Sequence, residues 1–253
     1  MTTFSNNKLK LLLSLFDSHK ILLSEELLDN GFSNDLIQYY KKSGWIKNIG
    51  KGVYTRPDVT VFLFDAIEIL QKKMSLKIHL GGKSCLSKVY NIQHFVELKE
   101  SKIELFCSRE TNLPLWFKEK FSDEIIVKRT EFLKTDGGIV NFSFPKNEIE
   151  ISTTERCFLE FLNYVPNETS VSEAREILEL LVNIRPALMQ KLLQESSSVK
   201  VNRLFFYLSE KVNHSWFKYL KKENVEFGSG IREIEKGGHF VEKYNIIIKD
   251  NEI

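Results

Sequence analysis

The chain has 253 residues, 36 Lys+Arg against 34 Asp+Glu for a net charge of +2, 42% hydrophobic and 12% aromatic residues, 12 Gly, 5 Pro and 3 Cys. Plentiful apolar residues and few cysteines exclude a disordered tail, a collagen-like repeat and a disulfide scaffold, and the length fits one or two globular domains. The near-neutral total says little about partners until the charge is followed along the sequence.

No stretch approaches the roughly 20 uninterrupted apolar residues of a membrane span. The segment Met1 to Lys8 lacks the apolar core and small-residue cleavage site of a signal peptide, so a cytoplasmic protein without a membrane partner is expected. Cys85, Cys107 and Cys157 form no C-x-x-C pair and are read as packed thiols, with no metal, disulfide or cofactor implied.

The first helical pattern runs from near Asn7 to Asp17, where Leu9, Leu12, Leu13 and Phe16 recur at three and four residues. Ser24 is the expected N-cap of a short second helix with Glu25 and Glu26 in its first turn, stopped by Asn30-Gly31. Ser33 caps a third, in which Leu36, Ile37 and Tyr40 face inward and Gly44 supplies a left-handed end. Two short helices joined by a few residues that include a glycine are a helix-turn-helix signature. Trp45 to Ile49 and Val53 to Arg56 then read as strands around Gly50-Lys51-Gly52, with Pro57 closing the second. Three helices and a hairpin give a winged helix-turn-helix domain over residues 1–58. A larger mixed α/β domain, 59–253, with a sheet and several C-terminal helices completes an α+β chain.

Charge separates sharply within the first domain. From Gln38 to Arg56 stand Lys41, Lys42, Lys47, Lys51 and Arg56 with no acid, whereas Met1 to Ile37 holds three lysines against five acids. Positive charge therefore gathers on the third helix and the wing, the elements that meet the major groove and the flanking phosphates. Asn34 and Gln38 have amides suited to adenine edges, and Tyr39 flanks them. Lys41, Lys42, Lys47, Lys51 and Arg56 suit phosphate. Asp35, in the first turn, serves the helix dipole. The same surface would also suit an acidic protein partner, so a winged-helix interaction module stands beside the DNA-binding reading.

In the second domain an apolar helix from Thr60 leads to the strand Lys77 to Leu80 and then to Gly81-Gly82-Lys83-Ser84. A Walker A loop needs Gly where Lys77 stands, so that pattern fails. A tight turn capped by Ser84 and an anion held at a helix N-terminus are the remaining readings, and the latter would allow an enzyme acting on a nucleotide. Strands are expected at Ile103–Phe106, Ile125–Val127, Ile139–Phe144 and Ile149–Ile151. A capping box at Ser152–Glu155 is expected to open a helix through Leu162. Further helices are expected at 171–183, 186–195, 199–212 and 214–221, packed on the sheet, and strands Ile231–Glu235 and His239–Ile248 as a closing hairpin.

Glu148 to Leu180 carries eight glutamates against two arginines, and Lys200 to Lys222 carries Lys200, Arg203, Lys211, Lys218, Lys221 and Lys222 against Glu210. The second group reads either as a further DNA surface or as a solvated face complementing the acidic helices. Catalysis has little support: His19, His79, His94, His214 and His239 are scattered, no nucleophile sits in an elbow, and His79 reads as a packed residue. Asp123, Glu124 and Asp136 read as surface acids.

Lys8–Leu12, Tyr40–Ile46, Ile49–Tyr54, His79–Ser84, Leu113–Lys118, Ile151–Arg156, Ser198–Phe205 and Phe227–Gly230 resemble, in order and over nearly the whole chain, the AbiEi-type antitoxins of abortive-infection (type IV) toxin–antitoxin systems. The resemblance implies a non-enzymatic antitoxin and repressor that binds inverted repeats in its own promoter through the winged helix. It also implies a partner toxin of nucleotidyltransferase type, counteracted without a stable complex, and a C-terminal domain needed for both repression and antitoxin action. The family's basic residues at the end of the third helix and at the wing turn match Lys41, Lys42 and Lys51. Tyr39 departs from it, since relatives often carry Arg there.

Overall fold

The structure, a computed structural model, describes residues 2–92, 102–133 and 136–249. Two units divide the chain: Met1–Leu76 with Asn112–Asp123 and Ser143–Ile149 in the first, and Lys77–Thr111, Glu124–Phe142 and Glu150–Ile253 in the second.

The first unit begins with α1 (Thr2–Ser18), β1 (Ile21–Leu23), α2 (Ser24–Asp29), α3 (Asn34–Lys42), β2 (Lys47–Gly50), β3 (Val53–Thr55) and α4 (Leu63–Lys72). The inward stripe of α1, the turn residue Phe32 and the inner face of α3 meet in one core of Leu12, Phe16, Leu22, Leu27, Phe32, Ile37, Tyr40, Ile46 and Tyr54. Each such side chain contributes about 1.5–3 kcal/mol when fully withdrawn from water. β1 was not expected: three residues are too short to show a period, yet they pair antiparallel with β3, giving a sheet of order β1-β3-β2. That third strand anchors the wing to the helices. Ser24 is the first helical residue of α2 rather than its cap. The N-cap is Leu23, whose N–H reaches the Glu26 carboxylate at 3.5 Å, and Ser24 donates its own N–H to Gly52 O at 2.7 Å.

The chain continues through β4 (Ile78–Leu80), α5 (Gly82–Lys88), β5 (Ile103–Cys107), α6 (Leu115–Lys120), β6 (Ile125–Arg129), β7 (Ile139–Ser143) and β8 (Glu148–Ser152). Next come α7 (Thr154–Leu162), α8 (Val171–Leu180), α9 (Pro186–Glu195), α10 (Val199–Val212), β9 (Arg232–Glu233), β10 (His239–Val241) and β11 (Ile246–Ile248). The central sheet has the order β6-β5-β4-β8-β7, with β4 antiparallel to β5 and parallel to β8, and β5 parallel to β6. α7 packs against α5, α8, α9 and α10. α10 is buried without interruption from Val201 to Ser209, as a helix surrounded by protein must be. Ser170 and Ser198 cap α8 and α10 by accepting N–H bonds from Glu173 and Val201.

Three local expectations are corrected. The Ser152–Glu155 capping box does not form: the N-cap is Thr153 without a side-chain bond, while Ser152 Oγ and Glu155 are drawn to Glu160 and Arg185. Residues 214–221 form no α-helix but lead into 3-10 turns at Phe217–Tyr219 and Lys222–Asn224. The closing strands are not one hairpin across Lys236–Gly238. β10 pairs antiparallel with β11 across Glu242–Tyr244, and β9 adds parallel to β11. Cys85, Cys107 and Cys157 are buried free thiols. Among the described residues no helix is long and apolar enough to cross a membrane.

Candidate nucleic-acid interface

α3 is built to be stopped sharply at both ends. Ser33 Oγ accepts the Leu36 N–H at 3.2 Å. At the other end Gly44, at φ +77°, lets Trp45 N–H reach Tyr40 O at 2.9 Å and Gly44 N–H reach Lys41 O at 3.3 Å, the two bonds of a Schellman motif. Ile37 and Tyr40 lie in the core, and burial, then the neighbouring Tyr39, push the Tyr40 hydroxyl pKa upward. The outer face presents Asn34, Asp35, Gln38, Tyr39, Lys41 and Lys42 to solvent. Asn34, Gln38 and Lys42 follow one another at successive turns of that face, so two amides and a cation stand in one line.

The wing, β2 to β3, is a short ribbon whose register shifts between Asn48 and Gly50. Lys47, Asn48 and Lys51 are exposed, and the Asn48 amide donates to Gly50 O at 2.8 Å. The exposed Trp45 and Asn48 were not singled out from sequence. Their position between the third helix and a glycine turn was the available signal.

Pairing tells the cations of this unit apart. Lys20 binds Asp65 at 2.7 Å, Lys73 binds Glu26 at 2.6 Å, and Lys72 binds Glu68 and Glu148 at 3.0 and 2.9 Å. Arg56 is held by Asp58 through Nε and Nη2 at 3.2 and 2.9 Å, which offsets its charge and draws the Asp58 pKa down. The side chains of Lys41, Lys42, Lys47 and Lys51 make no hydrogen bond or ion pair with a described residue. Unneutralised charge thus stands at the end of α3 and on the wing, as it also does at the exposed Lys10, Lys118 and Lys146 of the unit, and a polyanion meeting the α3 and wing lysines would release counterions on binding.

The second basic group does not hold together. Arg203 is 1% exposed and donates to the carbonyls of Phe227, Gly228, Gly230 and Asn245, so it staples the C-terminal segment. Lys200 donates to Asn163 O and Val165 O at 2.6 and 2.7 Å, with burial, then Arg232, lowering its pKa. Lys222 donates to Lys243 O and lies over the Tyr244 ring. Lys211, Lys218 and Lys221 remain exposed.

Gly81-Gly82-Lys83-Ser84 does hold an anion at a helix N-terminus, but the anion is the chain's own. Gly82 N–H donates to Glu160 Oε2 and Ser84 N–H to Glu104 Oε2, both at 3.2 Å. A Cβ on Gly82 would come within 2.5 Å of Glu104 Oε2, and Gly82 sits at φ +55°, so the glycine is needed twice over. Glu160 also accepts from His79 Nε2, Arg156 Nε and Ser152 Oγ, at 2.8, 2.8 and 2.9 Å. Burial pushes its pKa up, but the charge and bonds of His79 and Arg156 outweigh that and hold it below its ordinary value. Glu104 has Lys128 Nζ only at 3.9 Å besides backbone N–H groups, and burial outweighs them and raises its pKa. Two carboxylates here leave no place for phosphate. His79 and Arg156 line a cavity of about 500 Å³, and their bonds to Glu160 make them parts of a buried structural network. His94 lies outside the described residues, and Asp123, Glu124 and Asp136 are exposed. Among the described residues no group of three or more His, Cys, Asp or Glu is placed to hold a metal.

Comparison with known proteins adds the following. Residues 5–98 match the family described as "Transcriptional regulator, AbiEi antitoxin N-terminal domain". Residues 100–249 match "Transcriptional regulator, AbiEi antitoxin, Type IV TA system". The crystal structure of the RV2827C protein from Mycobacterium tuberculosis superimposes with a TM-score of 0.60 at 12% identity, over 96% of this chain and 92% of that one. At that identity the likeness carries the fold alone. No curated protein matches the chain.

Proposed function

Since the chain belongs to the AbiEi antitoxin family of transcriptional regulators of type IV toxin–antitoxin systems, we propose that it represses its own operon by binding inverted repeats in the promoter. On this reading it counteracts a nucleotidyltransferase-type toxin without a stable complex and without catalysis of its own. Residues 1–58 are the DNA-binding domain and 59–253 the antitoxin domain.

One observation supports the DNA reading above the rest: Lys41, Lys42, Lys47 and Lys51 stand exposed and unpaired with any described residue on the two elements a winged helix offers to a duplex, while Lys20, Arg56, Lys72 and Lys73 of the same unit are paired with acids. α3 enters the major groove, Asn34 and Gln38 meet base edges with Tyr39 beside them, and the lysines bind flanking phosphates. Arg56 contributes less because Asp58 competes for it. Lys218 and Lys221 are exposed members of the second basic group that could meet DNA, whereas Lys200, Arg203 and Lys222 are engaged internally. An inverted repeat engages two chains.

A gel-shift assay with the DNA upstream of the gene tests this. Wild type binds and Lys41→Glu/Lys42→Glu does not; equal binding by both, or none by wild type, defeats the proposal. Co-expression with the neighbouring gene tests the antitoxin half: growth arrest by that product alone, relieved by this chain without co-purification, is the expected result.

A further inference from the structure

We infer that Trp116, far along the chain, is a positioning residue for the wing, holding β2 so that Lys47 and Lys51 stand where DNA can meet them; the inference rests on the DNA-binding reading above. Segment Asn112–Asp123 belongs to the same unit as the winged helix, although the family description of the N-terminal domain ends at residue 98. Its helix α6 packs on β2. The approach is as close as chemistry permits: a Cβ placed on Gly50 would lie 2.5 Å from both Cγ and Cδ1 of Trp116 and 2.6 Å from its Cβ. Gly50 does not sit in the left-handed region, so its backbone would accept alanine, and the three atoms nearest an added Cβ all belong to Trp116.

The support is itself packed. Trp116 is 7% exposed, packs edge-to-face on Phe117 at 5.9 Å, and Phe117 packs in turn on Phe121 at 5.3 Å. β1 anchors β3 from its other side, but β2 is an edge strand of four residues with a register shift against β3, and that edge is the part that gains from a support. Trp116 Nε1 is buried without a hydrogen-bond partner among the described residues, which argues that the ring is kept for its shape.

The test uses the full chain and a duplex from upstream of the gene, with affinity followed against salt. Lys47→Gln/Lys51→Gln should lower the salt slope by about 1.8, at about 0.9 per phosphate contact. Trp116→Ala should lower it toward the same value, and adding it to the lysine variant should lower it no further. Trp116→Phe should keep the wild-type slope, having no hydrogen bond to lose. Gly50→Ala should behave like Trp116→Ala, because the added methyl would push the ring and its Cβ off the strand. An unchanged slope in Trp116→Ala, or effects that add to those of the lysine variant, would overturn the inference. Hydrogen exchange decides the case independently of DNA: if wild type binds no DNA, the DNA reading fails, and wing amides 47–53 that exchange faster in Trp116→Ala but not in Trp116→Phe still uphold the support. Equal exchange in all three overturns it.

Discussion

Replacing Lys41 and Lys42 by glutamine removes two charges from the last turn of α3 without altering its buried face. Neither side chain pairs with a described residue, so the folded protein loses only their interaction with the helix dipole, about 0.3–1 kcal/mol each. Binding loses more. With about 0.9 counterion released per phosphate contact, two contacts are worth about 1.8 in the slope of log affinity against log salt. Relative to a 1 M reference, that is roughly 60-fold at about 0.1 M salt and roughly 20-fold at about 0.2 M, or about 2.5 and 1.8 kcal/mol at about 1.4 kcal/mol per decade. Fluorescence anisotropy with a labelled upstream duplex, titrated at several salt concentrations, reads both quantities. Wild type and variant lines should converge as salt rises. Parallel lines would refute the reasoning, because they would mean that the lost affinity did not come from phosphate contacts.

Glu160→Gln should destabilise the second unit by about 3–5 kcal/mol, as removing one partner of a buried ion pair does, because Arg156 and His79 lose their shared carboxylate; urea unfolding checks it. Arg203→Lys should cost about 3 kcal/mol or more, since one ammonium cannot reach the four carbonyls that the guanidinium serves. Its salt slope for DNA should equal that of wild type, and a reduced slope would restore Arg203 to the DNA surface. Acid should weaken the fold through Glu155 and Glu160. Burial raises the Glu155 pKa, but the bonds from Arg185 outweigh it and leave it lowered, and Glu160 is lowered by His79 and Arg156. A carboxyl whose folded pKa lies below its unfolded value of 4.5 contributes fully above that pH and loses its contribution as pH falls through the folded pKa. The melting temperature should therefore drop below about pH 4.5, and less steeply in Glu155→Gln, which starts from a lower stability at neutral pH. A variant that falls as steeply as wild type would remove Glu155 from the account.

Much of the fold was legible because its signals act within one or two turns of chain. Ser33, Gly44 and the period of Ile37 and Tyr40 define α3 before any tertiary contact exists, and the acid-free run from Gln38 to Arg56 can be counted. β1 escaped because Ile21-Leu22-Leu23 has no period to read and becomes a strand only by pairing with β3. The capping box at Ser152 was plausible locally and lost to Glu160 and Arg185, partners that only packing brings near.

By itself, the sequence determined the winged-helix order of elements, the placement of unopposed positive charge on α3 and the wing, and the glycines of the Gly81-Gly82 turn. Tertiary structure decided what those features face. It gave the α5 N-terminus to Glu104 and Glu160 in place of a phosphate, turned Arg203 inward, neutralised Arg56 with Asp58, and set Trp116 against Gly50. The physical reason is range: capping and helical periodicity are settled by neighbours along the chain, whereas the fate of a charge or an indole ring depends on which distant groups folding places within a few ångströms of it.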